Sequence, residues 1–306
     1  MKKLLFLIVL GSFVGKTNAQ QEYLYSQYFN NLIYYNPAAT GANDYHTATA
    51  FFRKQWAGVK GSPWNGLVSY DAPFQKVNMG LGGFVSREVV GVTYNTSFMV
   101  NYAYHVKTSE KTKLAFGIGA GLDVYTSRLN ELTYWDEDDA VYAQAINGKV
   151  IPHFGFGMFF HMEQLRVGIS IPRLFNINTD ELMKITLKNS PNLARHFYMT
   201  AEYDFKIGEK WKLTPGTMMR YVINAPFQAD ISLRASFKDE VFFGTSYRTL
   251  GFVSIYAQYK IKNLCLIGYA FDFTTSAMKT FSQGTHEVVL SFEFLKKDNK
   301  AKASMD

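Results

Sequence analysis

The sequence predicts an all-β protein, a transmembrane antiparallel β-barrel of about fourteen strands. Three observations carry that prediction. Segments of strict period-two alternation recur through most of the chain, the connections between them sort by length into two parities, and an export leader precedes them all. Alternation puts successive side chains on opposite faces of a strand. In a barrel wall one face meets lipid and the other the lumen.

The leader occupies residues 1–19. Lys2 and Lys3 supply its charge, Leu4 to Val14 its apolar core, and Thr17-Asn18-Ala19 a small-residue cleavage site before Gln20. The apolar run is too short to cross a hydrocarbon layer of roughly 30 Å as a helix, so it reads as a signal peptide and not as a membrane anchor.

Strands are expected to begin near His46, Asn65, Val77, Tyr94, Lys113, Gly148, Gln164, Arg195, Glu209, Ala229, Val241, Gly251, Leu264 and Thr285. The pattern is clean in several. Phe98, Val100, Tyr102 and Tyr104 alternate with Ser97, Met99, Asn101 and Ala103. Phe116, Ile118 and Ala120 alternate with Gly117, Gly119 and Gly121, glycines that let the wall curve or admit something bulky into the lumen. In the last strand Val288, Leu290, Phe292 and Phe294 share one face, opposite Glu287, Ser291 and Glu293.

Loop lengths test the strand count. If the first strand runs outward, every even-to-odd connection is periplasmic and short: residues 73–76, 109–111, 162–163, 207–209, 238–240 and 261–263. The two long connections, Thr126 to Asn147 and Pro172 to Ala194, both fall in the opposite, extracellular class. Outer-membrane barrels have this asymmetry of short turns and long loops.

Composition agrees. Aromatic residues make up 16% of the chain although no long apolar run follows the leader. Faces of opposite character cancel in any window average, which resolves that contradiction. A lone cysteine, Cys265, excludes an internal disulfide framework and a cysteine-cluster metal site. The positive net charge of +7 includes Lys2, Lys3 and Lys16 of the leader and a basic tail after Leu295, with no concentrated stripe of the kind nucleic acid needs. A soluble β-sandwich or propeller also shows alternation, but does not account for aromatic faces, parity-sorted loops and a leader together.

Three blocks rise above the barrel pattern. The first runs from Ser26-Gln27-Tyr28-Phe29-Asn30 through Asn36-Pro37-Ala38-Ala39-Thr40-Gly41. The second is Phe52-Arg53-Lys54-Gln55-Trp56-Ala57-Gly58-Val59-Lys60-Gly61-Ser62-Pro63, and the third Gly284-Thr285-His286-Glu287-Val288-Val289-Leu290. In this order, at the two ends of a signal-bearing barrel, they resemble the PorP/SprF family of type IX secretion system membrane proteins. Ala57 departs from the larger aliphatic residue expected there. The resemblance implies a non-enzymatic outer-membrane component that serves the export or surface attachment of adhesin-like proteins, including those used in gliding. It implies two kinds of protein partner, periplasmic secretion scaffold proteins and an exported surface protein, beside outer-membrane lipid.

The segment 20–45 has many Asn and aromatic residues and no clean period. It is expected either to fold into the lumen as a plug or to act as a tether, with Tyr28, Asn30, Asn36 and Pro37 as contact residues. Arg53, Gln55, Trp56, Gly58 and Pro63 are placed at the outer end of the first strand, as a constrained loop that anchors at the interface through Trp56 and Trp64 or touches cargo. His196, Glu202, Asp204, Arg220, Asp230, Arg234, Arg248 and Asp272 fall on the inward face and are expected to pair as one lumen network that braces the barrel. Gly284, His286 and Glu287 mark the terminal strand. The acidic run Asp136-Glu137-Asp138-Asp139 lacks a calcium-loop spacing and reads as solvated charge.

Enzyme readings fare poorly. No G-x-S-x-G elbow and no phosphate-binding glycine loop is present, and no catalytic group, cofactor or metal is expected. The organisation expected is therefore a signal peptide over 1–19, the plug or tether over 20–45, the barrel over 46–295 and a basic periplasmic tail over 296–306. The alternative function is a passive porin or small-solute transporter.

Overall fold

The computed structural model describes residues 24–131, 145–174, 177–178, 192–193, 195–223, 225–249, 251–262 and 264–294. The leader, the acidic run and the basic tail lie outside the described residues. So does most of the long connection after Pro172.

Alternation becomes wall. The strands are β1 (His46–Lys54), β2 (Trp64–Phe74), β3 (Met79–Val90), β4 (Thr93–Lys107), β5 (Thr112–Arg128), β6 (Ala145–Met162) and β7 (Leu165–Ile171). After the short β8 (Ile177–Asn178) and β9 (Asn192–Leu193) come β10 (His196–Tyr203), β11 (Phe205–Ile207), β12 (Trp211–Val222), β13 (Gln228–Phe237), β14 (Val241–Arg248), β15 (Phe252–Ile261), β16 (Cys265–Thr274) and β17 (Thr285–Phe294). Neighbouring staves pair antiparallel, with β7 beside β10 across the long connection and β8 paired, among the described residues, only with β9. β1 closes on β17 with His46 opposite Phe294 and Lys54 opposite His286. β10 and β11 share β12 as a neighbour and act as one stave broken at Asp204, so the barrel has fourteen staves. The break has a cause. The Asp204 backbone N–H bonds to Gln164 O, outside the β12 ladder, and its carboxylate accepts from Thr214 and Arg166.

Expected and observed strand starts agree closely, with the largest displacement at β6, expected from Gly148 and observed from Ala145. The two-residue ribbon β8–β9 lies inside a connection expected to be irregular, and is too short to show alternation.

The two faces differ as lipid and lumen require. In β4, Val100 is 65% exposed on the outer face and its neighbour Asn101 is 2% exposed on the inner one. Val68, Ile118, Ile231, Ile255 and Phe243 continue the exposed apolar band, while Ser69, Ser232, Ser254 and Glu287 face inward and are buried. Trp64 lies on the outer face against Phe52. Strands β4, β5 and β6 have 15, 17 and 18 residues, more than the ~9–11 a strand needs to cross. The short turns gather at one end of the barrel and the long connections at the other.

Candidate functional site

Residues 24–45 contain no strand. They form three single 3-10 turns, Tyr28–Asn30, Leu32–Tyr34 and Pro37–Ala39, whose partners are inward-facing wall residues around the barrel. The path crosses the lumen from end to end. Leu24 lies beside Arg248, the last residue of β14, at the end with the long connections. Gly41 lies beside Asp71 and Gly80, near the short turns.

At the first end the wall grips the main chain of residues 24–27. Glu287 accepts hydrogen bonds from the backbone N–H groups of Ser26 at 2.8 Å and Gln27 at 2.9 Å. Arg53 donates to Glu287 at 2.8 Å and to Asp272 at 2.6 Å. The Ser26 hydroxyl donates to Asp272 at 2.8 Å and accepts from Arg53 at 3.0 Å. Arg248, paired with Asp230 at 2.9 Å, donates to the carbonyls of Leu24 at 3.2 Å and Tyr25 at 3.4 Å. Arg53, Asp272 and Glu287 are all but fully buried. Buried ions are tolerated only when attraction and additional hydrogen bonds repay their desolvation, and here the segment supplies some of those bonds.

All three sequence blocks meet at this clamp. The first contributes Ser26 and Gln27, the second Arg53 and the third Glu287. The loop after β1 is also tied to the loop before β17. Ala57 N–H donates to Gly284 O at 2.8 Å, Gln283 N–H donates to Ala57 O at 2.9 Å, and Trp56 N–H donates to the Thr285 hydroxyl at 3.2 Å. These loops flank the strand pair that closes the barrel. Gly284, at φ +97°, meets the Phe271 ring so closely that a Cβ has no room.

Below the clamp the segment is packed by rings. Tyr25 meets Phe51 at 4.7 Å, Tyr34 meets Phe84 at 4.9 Å, and the Arg234 guanidinium stands 4.2 Å from the Phe29 centroid. The Tyr28 hydroxyl reaches Ser232.

The second half is seated sterically. Asn36 donates through Nδ2 to Met158 O at 3.0 Å and accepts the Ala38 N–H at 2.9 Å, capping the last 3-10 turn. Pro37 opens that turn, where its missing N–H costs nothing. A Cβ at Gly117 would run into the backbone of Pro37 and Ala38, and one at Gly80 into the backbone of Thr40. Asn101 Nδ2 donates to Ile33 O at 2.9 Å, and Gly41 N–H donates to Asp71 at 2.6 Å.

The remaining candidates separate. The eight charged residues do not form one network. Asp230, Arg248 and Asp272 belong to the clamp. Glu202, Asp204 and Arg234 form a second group around Arg166, which bonds Glu202 at 3.1 Å and Asp204 at 3.0 Å. Arg220 bonds Gln228, and His196 stacks on Tyr198. The division follows strand geometry, since the clamp residues lie near the outer ends of their strands and the Arg166 group nearer the short turns. Arg53 is also not a loop residue. It is in β1 and points into the lumen, because the strand extends through Lys54. Gln55 and Pro63 pair through their backbones at 2.9 Å, and Gly58, at φ +87°, lies against Gln283. His286 faces outward, bonded to the Tyr269 hydroxyl at 2.7 Å. Asn30 lines a cavity of about 430 Å³ beneath the segment, together with Leu32, Asp71, Arg166, Lys260 and Glu293. Arg166 was legible only as an inward position of the short strand Arg166/Gly168/Ser170.

Motif residues that are far apart in sequence thus share one site, and comparison with known proteins agrees with the motifs. The family model described as type IX secretion system membrane protein PorP/SprF matches residues 17–292. The chain belongs to the PorP/SprF family. Members of this family are components of the type IX secretion system, and the barrel makes this one an integral outer-membrane protein. Similar solved structures include the CymD monoaromatic hydrocarbon channel, with 11% identity, a TM-score of 0.50 and coverage of 86% of this chain and 91% of that one. A TodX deltaS2S3 mutant monoaromatic hydrocarbon channel has 11% identity, a TM-score of 0.50 and coverage of 86% and 94%. Omp33 of Acinetobacter baumannii has 8% identity, a TM-score of 0.48 and coverage of 83% and 100%. At such identities the likeness concerns the fold alone. No curated protein matches the sequence.

Proposed function

We propose that this PorP/SprF barrel is a non-enzymatic binding component of type IX secretion and not a conduit. In this reading the N-terminal segment plugs the lumen. The loops at the long-connection end receive an exported, adhesin-like surface protein, and the turns at the other end engage the periplasmic scaffold. The observation that carries it is the course of residues 24–41, which cross the lumen and are tied to the wall at both ends by buried groups.

The test is affinity purification of the tagged protein from detergent-solubilised outer membranes, followed by mass spectrometry. Recovery of a large secreted surface protein or of scaffold subunits supports the reading. A barrel that purifies alone, even after gentle crosslinking, counts against it and favours the solute-transport alternative.

A further inference from the structure

The clamp recognises peptide main chain. Within residues 24–27 the wall reads two carbonyls through Arg248 and two N–H groups through Glu287. The Ser26 hydroxyl and the Gln27 amide both reach the ionic core, Gln27 Nε2 donating to Glu287 at 3.3 Å while its Oε1 accepts from Gln258 at 2.7 Å. Two successive N–H groups of a turn converge on one carboxylate, a main-chain anion grip.

We propose that Arg53, Arg248, Asp272 and Glu287 form a peptide-binding site whose resident, Leu24–Gln27, is exchangeable for a stretch of another polypeptide that takes the same turn and carries a small hydroxyl side chain. The proposal rests on the receptor reading above and names what that receptor holds. Three further features support it. The resident lies ahead of the steric seat at Asn36–Gly41, so residues 24–27 can leave the clamp while the seat stays filled. An empty clamp would strand a buried Glu287 carboxylate without two of its donors, a costly state that favours replacement over simple loss. The clamp also lies at the barrel end that carries the long connections.

The test uses a fluorescent octapeptide of residues 24–31 and detergent-folded full-length protein. Ser26→Asp adds a carboxylate beside Asp272 and Glu287 and leaves every wall residue unchanged. The S26D protein should capture the octapeptide at least about tenfold better than the wild-type protein does, and should ignore a scrambled octapeptide. Adding Glu287→Gln should lower capture by about tenfold, the loss of charge-assisted bonds worth ~1.4 kcal/mol. Heat-modifiable gel migration reports folding, and deletion of residues 20–31 serves as the second variant if S26D does not fold. A folded barrel of either kind that takes up the cognate peptide no better than the scrambled one overturns the proposal. Co-purification of a partner is read separately. Peptide uptake without any partner would overturn the receptor reading and leave the clamp standing, and a partner without peptide uptake would do the reverse.

Discussion

The two ends of the lumen segment are held by different physics. At residues 24–27 the grip is ionic and hydrogen-bonded, built from Arg53, Asp272, Glu287 and Arg248. At residues 36–41 it is chiefly steric, with Pro37, Ala38 and Thr40 lying where wall side chains would otherwise be, and the bonds of Asn36 and Gly41 add to it. Hydrogen bonds can be exchanged for equivalent ones from another chain, whereas a backbone fitted against glycines leaves no room for a wall side chain there. The contrast teaches that one continuous segment can be held by ions at one end and by close fit at the other.

Breaking the ionic end should have the largest effect. Arg53→Ala leaves two buried carboxylates without their cation, and such losses cost about 3–5 kcal/mol. Urea titration of the folded barrel should show that loss, and hydrogen exchange should show amides 24–31 unprotected with 36–41 still protected. Retained protection at Ser26 and Gln27 would contradict the account.

The steric end should respond most to added size. Gly117→Val drives a side chain into the backbone of Pro37 and Ala38, an overpacking cost of about 1–3 kcal/mol. Protection should then fall first at 36–41, the converse of the Arg53 result. Asn36→Ala keeps the fit but removes the bonds to Met158 and Ala38, with about 1–2 kcal/mol expected in the same titration. The smallest effect belongs to the exposed pair Lys206–Glu163 at the short-turn end. Lys206 bonds the Glu163 carboxylate and holds it below its usual range. Lys206→Ala should nevertheless leave the urea midpoint unchanged, since solvent screens the pair.

Much of this barrel was legible in the sequence because a wall between lipid and lumen must alternate. Val100 and Asn101 announce their faces without help from any distant residue. Gly117 and Gly119 likewise signalled either a curved wall or something bulky in the lumen, and the backbone of Pro37 and Ala38 lies against Gly117. What approaches was not legible, nor was the partition of the charges. Arg53 meets Asp272 and Glu287 only because β1 closes on β17 with Arg53 opposite Glu287, a register set by the whole circumference. The break at Asp204 depends in the same way on Arg166 and Gln164 from neighbouring staves.

The central claim is that the barrel holds its own segment and does not conduct. Planar-bilayer recording of the purified full-length protein tests it most directly, with the Arg53→Ala variant in parallel. The account predicts a silent wild-type protein and intermittent openings once the clamp is broken. Stable, ion-selective openings of the wild-type protein would contradict it.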